Sequence, residues 1–144
     1  MDFSAFETIS FPADEDIVYV LCFKCHGTAK ATTFYVGESA RGTRRLNDYI
    51  TAQFAAPTDF KVGVVVRALK AAGAEVLIKF KRSTGRKEEE AALIRDLSPR
   101  HQLLNREPSF NYKTADRALE KSRFEAFASK LLENHALSGG ASDA

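Results

Sequence analysis

One acidic side chain, Glu90, occupies a position where its chemistry would matter. Within the segment EAALIRDL it shares a helical stripe with Leu93, Ile94 and Leu97, so its carboxylate should face inward. An unpaired carboxylate in an apolar row is costly, and we therefore expect a cationic partner, a bound metal ion or an open cleft. The alternative is that Glu90, near the start of its helix, is favoured there by the helix dipole and bends out to solvent.

Two phenols, Tyr19 and Tyr35, form a second candidate group. Residues 17–23 and 32–37 are apolar runs that predict two strands of a hairpin, which would bring the phenols roughly opposite each other on one face. Two interpretations are open: an aromatic pair within a core, or two hydroxyl groups delivered to one site. Gly37, at the end of the second run, would let a ligand approach the backbone closely.

Basic side chains follow in two groups. The first, on one face of the helix predicted after residue 37, is Arg41, Arg44 and Arg45; the second run includes Lys81 and Arg82. A solvated face is the plain interpretation of both. Arginines near a helix start can also hold a phosphodiester through paired hydrogen bonds.

The elements that must position these residues predict an α+β fold with a small mixed sheet of three strands and flanking helices. We expect strands over 17–23, 32–37 and 75–81 and helices over 39–53, 84–97 and 114–137. Another helix is expected from an N-cap at Thr58 or Asp59 to a stop at Gly73. Ser83 or Thr84 would cap the third helix. The alternation of Val62, Val64 and Val66 also permits a strand in place of the second helix.

The domain organisation expected from these elements is simple. Residues 1–16 form an N-terminal lead-in, 17–112 the main domain, 113–137 a C-terminal helix and 138–144 a flexible tail. The C-terminal helix either covers the core or mediates a homodimer.

Composition restricts the class of protein. The chain has 144 residues, of which 44% are hydrophobic and 28% charged, so disordered and fibrous classes are excluded. No stretch of about 18 apolar residues and no signal-peptide layout is present, and we expect a cytoplasmic protein without membrane contact. A net charge of +2 is too small to indicate nucleic-acid binding by bulk charge, although a local basic patch could bind it.

The two cysteines, with His26, match the C-x-x-C-H pattern of haem attachment, from Cys22 to His26. Such attachment requires export, which the sequence does not predict. A zinc site would need a fourth ligand, and no second C-x-x-C motif supplies one. We therefore interpret the pattern as a chance occurrence at the end of a strand.

Taken together, the candidate residues resemble the GIY-YIG endonuclease superfamily over about residues 17–105. The segments Ile17-Val18-Tyr19 and Tyr35-Val36-Gly37 are similar to the two segments of the family name. Arg45, eight residues after the glycine, matches the helix arginine of the family, and Glu90 matches its metal-binding glutamate. Asn105, downstream of a proline, matches its asparagine.

The resemblance implies that residues 17–112 are a GIY-YIG-like nuclease domain with a β-β-α-α-β-α core. The implied activity is hydrolysis of phosphodiester bonds in nucleic acid, with DNA the expected substrate, assisted by one Mg²⁺ or Mn²⁺ ion. The implied catalytic residues are Tyr19, Tyr35, Arg45 and Glu90, and the implied positioning residues are Gly37 and Asn105. Arg41, Arg44, Lys81 and Arg82 would contact phosphates.

Each implied catalytic residue has a role in that chemistry. Glu90 would be the only protein carboxylate on the metal, and Arg45 would stabilise the charge that builds on the scissile phosphate. Tyr19 or Tyr35 would activate or position the attacking water. Because a phenol ordinarily titrates near 10, the base would need nearby cations. The alternative is a catalytically inactive module of the same fold that binds nucleic acid.

Overall fold

The computed structural model describes residues 16–27, 30–40, 57–108 and 116–142 of the chain. In chain order its elements are β1 (Ile17–Lys24), β2 (Thr32–Ser39), α1 (Pro57–Ala71), β3 (Glu75–Arg82), α2 (Arg86–Leu97), a short 3-10 helix (Leu104–Arg106) and α3 (Arg117–Ser142). The predicted α+β class with three strands is confirmed.

The sheet has the strand order β2-β1-β3, and β1 pairs antiparallel with both neighbours. The sheet was expected to be mixed, and this is corrected: β2 and β3 run in the same direction but lie on opposite sides of β1, so no parallel strands are neighbours. Seven consecutive residues of β1, Ile17 to Phe23, are buried. The strand is covered on both faces, and this is why its sequence is a continuous apolar run rather than an alternating one.

Two layers of helix cover the sheet, and we name the two faces by them. The α1/α3 face carries Tyr19 and Leu21 of β1, against Leu69 of α1 and Phe124 of α3. The α2 face carries the alternate residues of β1, which are Val18, Val20 and Cys22, and Val36 of β2 lies beside them. These side chains pack against Leu93 and Leu97 of α2. Each candidate residue on a strand therefore lies on one of two separate faces.

The valine-rich segment forms α1, so the alternative of a strand is wrong. Lys61 and the alternating Val62, Val64 and Val66 are all buried, as is Val65 between them. Burial on every side of this segment explains the conflicting pattern, because a helix that is apolar all round lies in the interior. Tertiary packing here overrides the low helix propensity of valine.

The ends of α2 and α3 differ from their predictions. Gly85, not Ser83 or Thr84, is the N-cap residue of α2, and no side chain caps that end. The helix predicted to end near Leu137 continues to Ser142, where a flexible tail was expected from residue 138. Adding residues to a formed helix is easier than starting one, because each adds a hydrogen bond without a new nucleus.

Helix α3 packs through Phe124, Phe127, Ala128 and Leu131 into the core of the α1/α3 face. Leu119, an apolar residue in the first turn of the same helix, is 70% exposed and does not contribute to this core. The helix therefore covers the core, and its role in a homodimer stays a prediction. Within the described ranges, no helix is both long and apolar enough to cross a membrane.

Candidate functional site

Tyr19 and Tyr35 lie on the same face of the sheet with their ring centroids 6.3 Å apart. They are diagonal neighbours rather than opposite each other, because Tyr19 pairs with Gly37 while Tyr35 pairs with Leu21. A diagonal pair is still within reach of aromatic side chains. Both rings belong to the core, with exposed fractions of 2% for Tyr19 and 7% for Tyr35.

Gly37 is required by the Tyr19 ring. A Cβ atom at residue 37 would lie 2.7 Å from Tyr19 Cε1 and still closer to its Cζ atom and hydroxyl oxygen. The φ angle of Gly37 is not positive, so backbone conformation does not demand glycine there. The space above its Cα is occupied by the phenol of Tyr19, which is why no side chain fits.

Asn105 lies against the free edge of β2. Its Oδ1 accepts a hydrogen bond of 2.8 Å from the Val36 N–H, and its Nδ2 donates one of 2.7 Å to the Val36 carbonyl. One side chain thus pairs both backbone groups of Val36, as a neighbouring strand would do. The predicted positioning residue is therefore in contact with the Tyr35-Val36-Gly37 segment.

Lys61, a residue that the sequence analysis did not single out, holds the segment around Asn105. Its Nζ donates hydrogen bonds to the carbonyls of Leu104 (3.2 Å) and Glu107 (2.8 Å). Burial lowers the pKa of its ammonium group below the ordinary value, and the charge of Glu107 opposes that effect. A lysine inside a valine-rich helix was the available signal, since a buried lysine needs partners.

Glu90 lies half-buried in the first part of α2, beside Glu38 of β2. Burial raises the pKa of its carboxyl group, the charge of Glu38 raises it further, and the charge of Arg86 opposes both. Among the described residues, no hydrogen bond or ion pair with Glu90 is formed. The inward carboxylate predicted from the stripe thus lies near a second carboxylate and one cation.

The neighbouring Glu89 shows the contrast. It accepts a hydrogen bond of 2.8 Å from Ser83 Oγ and forms an ion pair with Lys81. Burial raises the pKa of Glu89, but these two partners outweigh it, and the pKa lies below the ordinary value. Lys81, predicted to contact phosphate, is thus engaged within the protein.

The first turn of α2 bridges the sheet on the α2 face. Lys81, Val18 and Glu38 form one row across the three strands. Arg86 donates to the Glu38 carboxylate at one end of this row, and Glu89 pairs with Lys81 at the other. Arg82, adjacent to Lys81 on β3, is exposed and lies on the opposite side of the sheet.

The structure places the candidate groups on two faces of the sheet: Tyr19, Gly37 and Glu38 lie near one end, and Tyr35 lies nearer the middle of β2, opposite Leu21. Tyr19 and Tyr35 lie on the α1/α3 face, whereas Glu38 and Glu90 lie on the α2 face. Gly37 and Glu38 are consecutive on β2 and connect the two groups. Arg41, Arg44 and Arg45 lie outside the described residues, as does the rest of the helix predicted over 39–53; Ser39 itself belongs to β2.

The C-x-x-C-H residues do not form one group. Cys22 lies on the α2 face, where its sulfur is 3.3 Å from Thr33 Oγ1, while Cys25 packs against the α1/α3 face. Burial raises the pKa of the Cys22 thiol. Across the described ranges, no three or more His, Cys, Asp or Glu side chains are placed to hold a metal ion.

In comparisons with known proteins, no family model, no curated protein and no solved structure matches this chain. The function of this chain is therefore inferred from the geometry of its candidate site residues.

Proposed function

We propose that this protein is a metal-dependent endonuclease that hydrolyses phosphodiester bonds in nucleic acid, with DNA the expected substrate, at a GIY-YIG-type site. The observation that carries the proposal is the half-buried Glu90 carboxylate, which forms no ion pair with any residue in the described part of the chain and lies at the end of the sheet where Tyr19 covers Gly37. Keeping such a carboxylate costs stability, and costly groups of this kind cluster at functional sites.

The carboxylates fit a divalent cation. The charge of Glu38 raises the pKa of the neighbouring Glu90 carboxyl group, so a cation bound there would be stabilising, and oxygen ligands are those that Mg²⁺ and Mn²⁺ prefer. Two carboxylates suffice, because Mg²⁺ commonly keeps several waters and binds through one or two carboxylates plus substrate phosphate. When bound, the ion would neutralise charge on the scissile phosphate and lower the pKa of water. Glu90 would hold it, with Glu38 close by.

The phenols would handle the attacking water. A water oxygen forms the new bond to phosphorus, and the water proton passes to a tyrosine phenolate. The bond from phosphorus to the leaving oxygen breaks, and that oxygen takes up the proton from the resulting phenol through solvent water. Both phenols belong to the core; Tyr35 keeps the larger exposed fraction, 7% against 2%, and would be the phenolate, while Tyr19 would hold the Tyr35 ring in place. Arg45 would stabilise the phosphate charge.

The test is cleavage by the purified full chain of supercoiled plasmid and of labelled duplex, branched and single-stranded DNA and RNA, with Mg²⁺, Mn²⁺ or EDTA. Glu90→Gln should reduce metal-dependent cleavage at least about 100-fold, since it removes a transition-state interaction of several kcal/mol. Glu88→Gln is the matched control, because Glu88 is an exposed carboxylate in the same turn. Its activity should equal that of the parent protein.

Two outcomes would contradict the proposal. Equal cleavage by the parent protein and Glu90→Gln would remove Glu90 from the mechanism. Binding of DNA in titration calorimetry without cleavage of any substrate would favour the inactive binding module.

A further inference from the structure

A cavity of about 600 Å³, lined mainly by polar residues, opens at the opposite end of α2 from Glu90. Its floor is formed by Cys22 and Thr33 on the α2 face, and one wall is the turn that follows α2, from Arg100 to Gln102. Asn134 and His135 of α3 form another wall. Since Leu97, the last residue of α2, comes seven residues after Glu90 and a helix rises about 1.5 Å per residue, the end of α2 beside the cavity lies roughly 10 Å along the helix from Glu90.

The described side chains that line the cavity carry charge of one sign. Lys30, Lys79 and Arg100 are the cations, two histidines join them, and no carboxylate is among the lining residues. The whole chain, by contrast, balances 21 basic against 19 acidic residues. Three cations with no acid among the described lining residues therefore produce a local positive potential at this cavity.

Hydrogen-bonding groups surround these charges. Thr32 and Thr33 contribute hydroxyl groups, and Gln102 and Asn134 contribute amides that bond to each other at 2.9 Å. His135, whose Nδ1 lies 2.6 Å from Thr32 Oγ1, is buried and fixes α3 against the strand. Lysine, arginine, threonine and amide donors are the groups that bind phosphate oxygens.

We propose that this cavity binds a phosphate group, carried either by a free nucleotide or by the backbone of a polynucleotide. Arg100 and Lys30 would contact the phosphate from opposite walls, and the Thr33 hydroxyl would donate from the floor. A volume of about 600 Å³ lies within the usual range of small-ligand sites. The proposal does not depend on the nuclease activity, because none of these residues belongs to the candidate nuclease site.

His101 lies beside the same two cations and can report whether the cavity is occupied. Burial lowers the pKa of this histidine, and the positive charges of Arg100 and Lys30 lower it further. A bound phosphate would oppose those two charges, so it should move the pKa of His101 upward. The histidine therefore reports on occupancy without any requirement for catalysis.

The test is titration calorimetry of the full chain with inorganic phosphate, adenosine monophosphate and a short DNA duplex, together with an NMR titration of His101. Arg100→Gln and Lys30→Gln should each weaken binding about tenfold, as expected for a hydrogen bond to a charged group. Both residues are exposed, so these variants should fold normally. Arg95→Gln, which removes one exposed positive charge from α2 outside the cavity, is the matched control and should bind like the parent protein.

The arms of the experiment distinguish the two sources of phosphate. Arg100-dependent binding of phosphate and nucleotide, with an upward move of the His101 pKa, supports a free nucleotide as ligand. Arg100-dependent binding of the duplex alone supports a polynucleotide backbone. No binding of any probe, or equal weakening by Arg95→Gln and Arg100→Gln, overturns the proposal.

Discussion

Replacing Gly37 by alanine should destabilise the protein through one steric contact. The new Cβ atom would lie 2.7 Å from Tyr19 Cε1, whereas carbon atoms at optimal separation are about 3.5–4.0 Å apart. Because Cζ and the hydroxyl oxygen of Tyr19 would lie closer still, the ring must move by more than about 1 Å, and it is only 2% exposed, so its surroundings must move as well. No flexible side-chain end is available to absorb the displacement.

The expected loss follows from two opposing terms. Overpacking of a filled core costs about 1–3 kcal/mol. Alanine restricts the unfolded chain relative to glycine, which returns about 0.4–1 kcal/mol at a residue without positive φ. The net decrease in the free energy of unfolding is then about 1–2 kcal/mol. In a chain of 144 residues this corresponds to a decrease in Tm of roughly 3–6 °C.

Thermal unfolding followed by circular dichroism measures this decrease, and two further proteins isolate its cause. Gly85→Ala is the glycine control without such a clash, because the nearest atom to its Cβ would be Glu88 Oε2 at 3.2 Å, the end of a flexible side chain; it should show only the preference of an N-cap for glycine over alanine. In a Tyr19→Ala background, Gly37→Ala should no longer destabilise the protein and should add about 0.4–1 kcal/mol of stability, because the ring that it meets is gone and only the restriction of the unfolded chain remains. A Gly37→Ala cost that is equal with and without the Tyr19 ring would refute the reasoning.

The same substitution tests the proposed site. A displacement of about 1 Å in a catalytic group can reduce the rate about 100-fold. We therefore expect Gly37→Ala to lose about two orders of magnitude in nuclease activity at a temperature where it is folded. Full activity in the displaced variant would separate Tyr19 from the chemistry.

Three further predictions concern the residues around this segment. Because the pKa of Glu90 is raised in the folded protein, its charged form destabilises the protein above that pKa. Glu90→Gln should therefore raise Tm at pH 7, and this gain should fade as the pH falls towards about 4, the ordinary range of a glutamate. Thermal unfolding measured over a pH series checks this. Asn105→Ala leaves both backbone groups of Val36 without their partner, and should cost about 2 kcal/mol in urea unfolding and speed hydrogen exchange at the Val36 amide; unchanged exchange would contradict this. Lys61→Met leaves the carbonyls of Leu104 and Glu107 without their donor and should lower the free energy of unfolding by about 1–3 kcal/mol. It should also speed hydrogen exchange at the Val36 amide, whereas unchanged exchange would show that Lys61 does not position Asn105.

The strands and the buried side of α2 could be predicted from the sequence. Continuous apolar runs predicted β1 and β2, and the stripe of Leu93 and Leu97 predicted the buried side of α2. These predictions succeeded because they depend on spacing along the chain, which fixes which side chains share a face of a helix or strand. The same spacing indicated that Glu90 would face inward.

Cross-strand geometry depended on a detail that spacing does not specify. The register shifts between Leu21 and Cys22, and the phenols consequently lie diagonally, with Gly37 opposite Tyr19. A register shift of this kind changes the partner of every residue beyond it without changing the apolar pattern. The sequence therefore predicted that the two phenols share a face, but not which backbone atom each would cover.

The sequence by itself determined the three strands, helices α2 and α3 apart from their ends, and the inward direction of Glu90, because each of these follows from periodicity within one element. Only the tertiary structure decided that Glu38 and Arg86 lie beside Glu90, and that Lys61 and Asn105 secure the edge of β2. These contacts join residues far apart in the chain. Their formation depends on how the helices pack on the two faces of the sheet, and that packing is set by the whole core rather than by any single segment.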